Sequence, residues 1–148
     1  MTRLLLAAAM LLVATVAVQA GPITKESPHS VAVTLDKLAA AVEGAGATVF
    51  ARVDHAKGAS SIGEDLRPTE LLIFGNPKIG TPVMQANQGA GLDLPLRVVA
   101  FEGEDGKVQL QWHDPADLAT AYGVPADHPA LAAMSGALQK LTDAAVAN

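Results

Sequence analysis

The alternation of apolar and polar residues in Lys107–His113 constrains the fold more than any other feature of the chain. Its two sets of side chains are Val108, Leu110 and Trp112 on one side, and Gln109, Gln111 and His113 on the other. A period of two is that of a strand with one buried face and one wetter face. Upstream, Pro95–Glu102 is predicted to be a strand as well. The glycine-containing turn Gly103–Gly106 joins the two strands as an antiparallel hairpin.

Three further strands and three helices are predicted, apart from the helix in the stretch Leu71–Gln88 that is described below. The strands are expected at Ser30–Val33, Thr48–Asp54 and Thr69–Phe74, and the helices at 34–44, 114–123 and about 128–147. Thr34 is predicted to cap the first helix, and His55–Arg67 is predicted to be a polar connection with room for one helical turn. These elements predict a single two-layer α+β domain with an antiparallel sheet of about five strands. The expected order is strand-helix-four strands-helix, followed by an extra C-terminal helix.

Residues 1–20 have the pattern of a secretory signal peptide. A basic start at Arg3 precedes the apolar run Leu4–Val18, and the segment ends in Val18-Gln19-Ala20. We therefore expect cleavage after Ala20, a single domain over residues 21–148, a periplasmic or secreted location, and no stable membrane insertion after cleavage. The alternative is a membrane anchor, but a spanning helix needs about 20 apolar residues, more than the run Leu4–Val18 provides.

Composition excludes several classes of function. The chain has no cysteine, which removes disulfides, catalytic thiols and thiolate metal sites, so the fold must be stabilised by packing. The net charge is −5, and loss of Arg3 would make it one unit more negative. Because binding to phosphate backbones requires a basic face, we expect no nucleic-acid partner.

The stretch Leu71–Gln88 contains two helix-start signals, Asn76-Pro77 and Thr81-Pro82. A helix that began at Pro77 and continued would contain Pro82 in its interior, at a cost of about 3 kcal/mol. We therefore predict a tight turn over Asn76–Gly80 and a helix from Pro82 to about Gln88, capped by Thr81.

Candidate ligand-binding residues cluster around that predicted turn and at the end of the second strand. They are Asp54, His55, Asn76, Lys78, Thr81 and Met84. The adjacent Asp54 and His55 could orient an imidazole for a metal ion or a proton transfer, and Met84 could be a soft metal ligand together with His55. The alternatives without a ligand are that Asp54 caps a turn beside an exposed His55 and that Met84 is a packing residue. Asn76, Lys78 and Thr81 would then serve only to form the turn.

Several motifs carry a resemblance to a known family. They are Ile73-Phe-Gly-Asn-Pro77, Gly80-Thr-Pro-Val-Met84, Leu94-Pro95 and Val53-Asp-His55. Over about residues 28–124 the chain resembles the domain of unknown function 302 family, and the last helix is expected to lie outside the shared region. The resemblance implies an α+β domain that is commonly dimeric, and it implies no assigned activity.

Three functions remain open from the sequence. The first is a secreted or periplasmic binding module, not an enzyme and expected to be a homodimer, whose ligand lies where Asp54-His55 meets Asn76–Met84. The second is a protein that handles a soft metal ion or haem through His55 and Met84. The third is a small acid–base enzyme that uses Asp54 and His55. The residues do not identify a cofactor, and any partner beyond a second copy is expected to be a small ligand or metal ion.

Overall fold

The computed structural model describes residues 21–148, so the predicted signal peptide lies outside the described residues. Five strands form one antiparallel sheet in the order β1-β5-β4-β3-β2. Their bounds are Ile23–Ser27 for β1, Thr48–Asp54 for β2, Thr69–Gly75 for β3, Leu96–Glu102 for β4 and Val108–Trp112 for β5. The predicted fold class, an α+β domain with a five-stranded antiparallel sheet, is confirmed.

Five α-helices accompany the sheet in this part of the chain. Their bounds are Val31–Gly44 for α1, His55–Ser61 for α2, Pro77–Ala86 for α3, Asp117–Tyr122 for α4 and Pro129–Val146 for α5. A short 3₁₀ segment, Gln88–Leu92, follows α3. The C-terminal helix lies within a few residues of its predicted bounds, with His128 as its N-cap and Pro129 as its first residue.

The main core lies between the sheet and helices α1 and α5. Trp112 and Leu110 face these helices and are 4% and 0% exposed, as their alternation predicted. Helix α5 contributes Leu138 and Leu141 to the same core. A second apolar cluster lies beside the first, between α3, α4 and α5; its buried members are Val83, Ala90, Leu118, Val124, Ala130, Leu131 and Met134.

The strand predicted at Ser30–Val33 is wrong. Ser30 is the N-cap of α1, and its hydroxyl accepts a hydrogen bond from the backbone N–H of Val33 at 3.3 Å. The helix therefore begins before Thr34, which is fully buried within it. Helical spacing explains the error, because Val31 shares the buried face of α1 with Leu35. The first strand lies upstream instead, where Ile23 and Ser27 bound a strand paired with β5.

The helix boundary predicted at Thr81-Pro82 is also wrong. Helix α3 begins at Pro77, with Asn76 as its cap, and continues through Pro82. Pro82 has no N–H to donate to the carbonyl of Lys78, so this hydrogen bond is missing from the helix. Val83, the next residue, is completely buried in the second cluster. Tertiary packing of this turn thus outweighs the local cost of the proline.

Candidate functional site

The chain turns sharply where β3 meets α3. The side-chain oxygen of Asn76 accepts a hydrogen bond from the N–H of Lys78 at 3.0 Å, which caps α3. The same side chain donates to the carbonyl of Gly46 at 3.4 Å and so contacts the loop after α1. Gly75 precedes the turn, and a Cβ there would lie 3.3 Å from the Cβ of Pro95. The close approach of the β4 entry explains the glycine.

An apolar pocket of about 320 Å³ opens beside this turn. Its wall combines the ends of β3 and β4, the first two turns of α3 and one face of α5. The lining residues are Ala47, Phe50, Phe74, Gly75, Asn76, Pro77, Ile79, Gly80, Thr81, Met84, Leu94, Pro95, Leu96, Met134, Ala137 and Leu141. The pocket therefore lies at the junction of the two apolar clusters. We call it the apolar pocket.

The chemistry of the apolar pocket is that of a binding site for a hydrophobic group. None of its lining residues is charged, and only the side chains of Asn76 and Thr81 offer hydrogen-bonding groups. Small residues such as Gly80 and Ala137 leave the space that larger side chains would fill. Phe50 is 55% exposed and contributes to the wall. Exposed aromatic surface next to an apolar pocket is a feature of ligand-binding and interaction sites.

Three of the predicted site residues belong to this wall: Asn76, Thr81 and Met84. Thr81 does so from inside helix α3, so its predicted role as a helix cap is wrong. For the same reason the backbone N–H groups of Val83 and Met84 lie inside the helix and not at its start. Lys78 is exposed on α3 and is not part of the wall.

The other two predicted residues, Asp54 and His55, lie at the opposite end of the sheet. Across β2 and β3, Thr48 pairs with Gly75, whereas Asp54 pairs with Glu70. Since each strand residue advances the chain by about 3.3 Å, the two ends of β2 are about 20 Å apart. The single corner that we expected to contain both groups is therefore not formed, because the antiparallel register separates them.

Asp54 has a local structural role at its own end of the sheet. Its carboxylate accepts a hydrogen bond from the N–H of Lys57 at 2.8 Å and caps α2, in a region that we predicted to be a connection with one helical turn. His55 is the exposed first residue of that helix. His55 follows the end of β2 that pairs with the start of β3, whereas Met84 lies in α3, beyond the end of β3. The two side chains therefore cannot share one metal ion. Among residues 21–148, no group of three or more histidine, aspartate or glutamate side chains is arranged to hold a metal ion.

Most of the pocket wall escaped the sequence analysis. Phe50, Phe74 and Pro95 line it from three strands or strand ends, and Met134 and Leu141 from α5. In the sequence these residues follow the ordinary apolar periodicity of core elements. The one irregular signal is at Phe50, where a bulge interrupts the pairing of β2 with β3 between Val49 and Ala51. A bulge re-aims a side chain, but alternation alone does not reveal it.

The fold and the pocket define a two-layer α+β domain with an apolar cavity at one end of its sheet. The chain belongs to the family described as Domain of unknown function DUF302, which matches residues 23–145. The matched region is longer than the motifs suggested, since it includes most of α5, which we expected to lie outside it. The family predicted from the sequence is confirmed.

A solved structure shares the fold. The chain is similar to an uncharacterized conserved protein, DUF302, from Bacillus stearothermophilus, with a TM-score of 0.66 and 20% sequence identity. The likeness covers 84% of this chain and 94% of that one. At this level of identity the comparison shows the fold alone.

Curated relatives are more similar in sequence but much longer. Over 107 residues, 72% of this chain, the identity is 49% to a protein named Fluoride-specific ion channel FluC 1 from Brucella suis biovar 1 and to its namesake from Brucella abortus biovar 1. The match covers 42% and 40% of those two proteins, so the chain spans less than half of their length. Within residues 21–148 of the present chain, no helix is long and apolar enough to cross a membrane.

Proposed function

We propose that this protein is a non-enzymatic binding module whose apolar pocket takes a small, largely uncharged hydrophobic molecule. The observation that carries the proposal is the pocket itself, a space of about 320 Å³ without a charged lining residue. Ligand sites are concave, mostly apolar and equipped with a few polar groups. The wall of this pocket follows that pattern, with Asn76 and Thr81 as its polar side chains.

The pocket favours binding over catalysis. Proton transfer requires a titratable side chain within hydrogen-bond reach of the reacting atoms, and none of the lining residues is titratable. The acid–base alternative rests on Asp54 and His55, which are both exposed at the far end of the sheet. The metal alternative rests on His55 and Met84, which the register separates.

The size of the space limits the ligand. A volume of about 320 Å³ is at the lower end of the range for small-molecule pockets, about 300–1,000 Å³. Apolar cavities of smaller volume remain dry and bind benzene. A single ring or a short branched chain therefore suits the space, with one polar atom directed at Asn76 or Thr81.

Toluene is a suitable probe for this proposal. In a titration followed by amide chemical shifts, we expect the largest changes at Gly75, Gly80 and Ala137, which line the pocket. Ala137→Leu should fill part of the space and weaken toluene binding by about tenfold or more, which corresponds to 1.4 kcal/mol.

The matched control is Ala133→Leu, which adds the same side chain to an exposed position of the same helix. It should leave toluene binding unchanged. Chemical-shift changes that avoid the pocket, or equal losses in the two variants, would contradict the proposal.

Location and assembly complete the proposal. We propose a periplasmic or secreted homodimer. The location is supported by residues 1–20, in which a basic start precedes an apolar run. Support for self-association comes from Leu71, Ile73 and Val99, half-buried apolar residues on the sheet face opposite α1 and α5. Mass spectrometry of the native N-terminus tests cleavage after Ala20, and sedimentation equilibrium tests the dimer.

A second candidate function follows from the similarity to the fluoride channels. We propose that the domain can act beside such a channel, because 49% identity over 107 residues links it to proteins of that name, while more than half of each relative lies outside the match. The test is fluoride efflux from vesicles that contain a fluoride channel from the same cell, with and without the purified domain. A changed efflux rate supports this function. An unchanged rate, together with failure of the domain to co-purify with the channel, contradicts it.

A further inference from the structure

A second cavity, of about 290 Å³, lies on the other side of Leu96 from the apolar pocket. We call it the carboxylate cleft. It is formed by the start of β4, the link from β5 to α4, helix α4 itself and α5. Its lining residues are Asp93, Leu96, Arg97, His113, Asp114, Pro115, Asp117, Leu118, Ala121 and Leu138. Its chemistry differs from that of the apolar pocket, because five of these ten residues carry titratable or charged side chains.

The floor of the cleft is apolar. Leu118 and Leu138 are 6% and 1% exposed, and Leu96 is half-buried between the two cavities. Pro115 adds a further buried apolar surface. A ligand that enters the cleft therefore meets hydrocarbon below and charged groups at the rim.

The positive charge at the rim is already paired. Arg97 donates to one oxygen of Asp93 at 2.8 Å. The other oxygen of Asp93 accepts a hydrogen bond from the Tyr122 hydroxyl at 2.5 Å. This hydrogen bond to the carboxylate raises the pKa of Tyr122, so the phenol keeps its proton and remains a donor. Hydrogen bonds to Asp93 thus link Arg97 and Tyr122.

Two further carboxylates keep free oxygens. One oxygen of Asp114 accepts hydrogen bonds from the N–H of Ala116 at 2.9 Å and from the Ser135 hydroxyl at 3.1 Å. Within residues 21–148, no hydrogen bond or ion pair satisfies the other oxygen of Asp114 or the carboxylate of Asp117. These two residues are three positions apart, and the N–H of Asp117 donates to the backbone carbonyl of Asp114 at 3.0 Å. A turn of this kind places two side chains that are three residues apart on the same side of the backbone.

The rim therefore has three carboxylates and one guanidinium, a formal excess of two negative charges above an apolar floor. We propose that the carboxylate cleft is a binding site for a small organic ammonium ion with an apolar body. The ammonium group would donate to Asp117 and the free oxygen of Asp114, and the hydrocarbon part would cover Leu118 and Leu138. This site is separate from the apolar pocket and does not depend on the function proposed for that pocket.

Three probes of similar size test the charge requirement on the unmodified protein. Benzylamine carries the positive charge, benzyl alcohol is neutral and benzoate is negative. In titrations followed by amide chemical shifts, benzylamine should perturb His113, Asp117 and Leu118. Benzyl alcohol should bind at those positions about tenfold more weakly, and benzoate should not bind there. The read-out is local, so binding of the alcohol in the apolar pocket is recognised by shifts at Gly75 and Gly80 instead.

The substitution Asp117→Asn should weaken benzylamine binding by about threefold to tenfold, since exposed ion pairs contribute modestly. The control is Asp127→Asn, which removes the same charge from an exposed position outside the cleft and should leave binding unchanged. Equal affinity for amine and alcohol at the cleft would overturn the proposal. An unchanged affinity in Asp117→Asn, or an equal loss in Asp127→Asn, would overturn it as well.

Discussion

Both ends of strand β3 lie next to a helix that an amide or carboxylate side chain caps. At one end, Asp54 of the neighbouring strand accepts a hydrogen bond from Lys57 and starts α2. At the other end, Asn76 accepts a hydrogen bond from Lys78 and starts α3. The distances, 2.8 and 3.0 Å, are nearly the same. The apolar pocket lies beside the Asn76 end.

The difference lies in what each helix packs against. Helix α2 has no buried residue, whereas α3 buries Val83 in the second apolar cluster and contributes several side chains to the pocket wall. At a capped helix start the cap side chain accepts a hydrogen bond from an otherwise unpaired backbone N–H, so that group needs no ligand. A cavity, by contrast, requires side chains from several elements that meet without filling the space between them.

The largest effect is expected from Phe74→Ala at the pocket end. Phe74 is 2% exposed and belongs to the main core. Its truncation should lower the free energy of unfolding by about 3–5 kcal/mol. At the other end, Val53→Ala removes a side chain that is 38% exposed and should cost less than about 1 kcal/mol. Chemical denaturation measures both, and equal costs would show that the two ends are equally well packed.

The two caps provide a closer comparison. Asn76→Ala should lower the free energy of unfolding by about 1 kcal/mol, because α3 is part of the packed structure. Asp54→Ala should cause fraying of α2 without a change in global stability, because that helix buries nothing. Hydrogen exchange at Lys57 and Gly58 reports the fraying, and denaturation reports the global effect. A global loss in Asp54→Ala as large as in Asn76→Ala would contradict this distinction.

Glycine-to-alanine substitutions test the same distinction, but they are expected to stabilise the helices and not to destabilise them. Gly80 lies in α3 and Gly58 in α2. A Cβ at Gly80 would lie 4.0 Å from its nearest neighbours, in Leu94 and Met84, and a Cβ at Gly58 would contact nothing within 4 Å. Because alanine favours a helix by up to about 1 kcal/mol over glycine, Gly80→Ala should raise the midpoint of denaturation. Gly58→Ala should slow hydrogen exchange in α2 only, and an equal rise of both midpoints would indicate that α2 is also part of the cooperative unit.

The smallest effect is expected from His55→Ala. His55 is exposed, and no side-chain hydrogen bond involves it within the described part of the chain. The free energy of unfolding should change by less than about 0.5 kcal/mol, and toluene binding in the apolar pocket should not change. A calorimetric titration with Zn²⁺ or Cu²⁺ tests the remaining metal hypothesis for this residue. Loss of stoichiometric metal binding in His55→Ala would restore His55 as a ligand, separately from Met84.

Local chemistry explains most of what the sequence analysis predicted correctly. The alternation around Trp112 identified the buried sheet face, and the C-terminal helix was expected over about residues 128–147. Pro129 at the first position of that helix is a local helix-start signal. Each of these signals lies within a few residues of the element it predicts.

The errors arose where a local cost was weighed without tertiary packing. Pro82 disfavours a helix interior by itself, so a helix was predicted to start there. In the folded chain, burial of Val83 and the cap at Asn76 stabilise one continuous helix across it. Ser30–Val33 was read as alternating, although the same residues also fit the helical face that includes Leu35.

The sequence by itself therefore determined the fold class and the covered face of the sheet, because both depend on the periodicity of apolar residues along the chain. The tertiary structure alone decided which residues line a cavity. The register of β2 against β3 separates His55 from Met84 by the length of a strand. The apolar pocket exists because Phe50, Gly75 and Ala137, which are far apart in the sequence, meet with space left between them. That space is a property of packing in three dimensions, and no pattern along the chain encodes its volume.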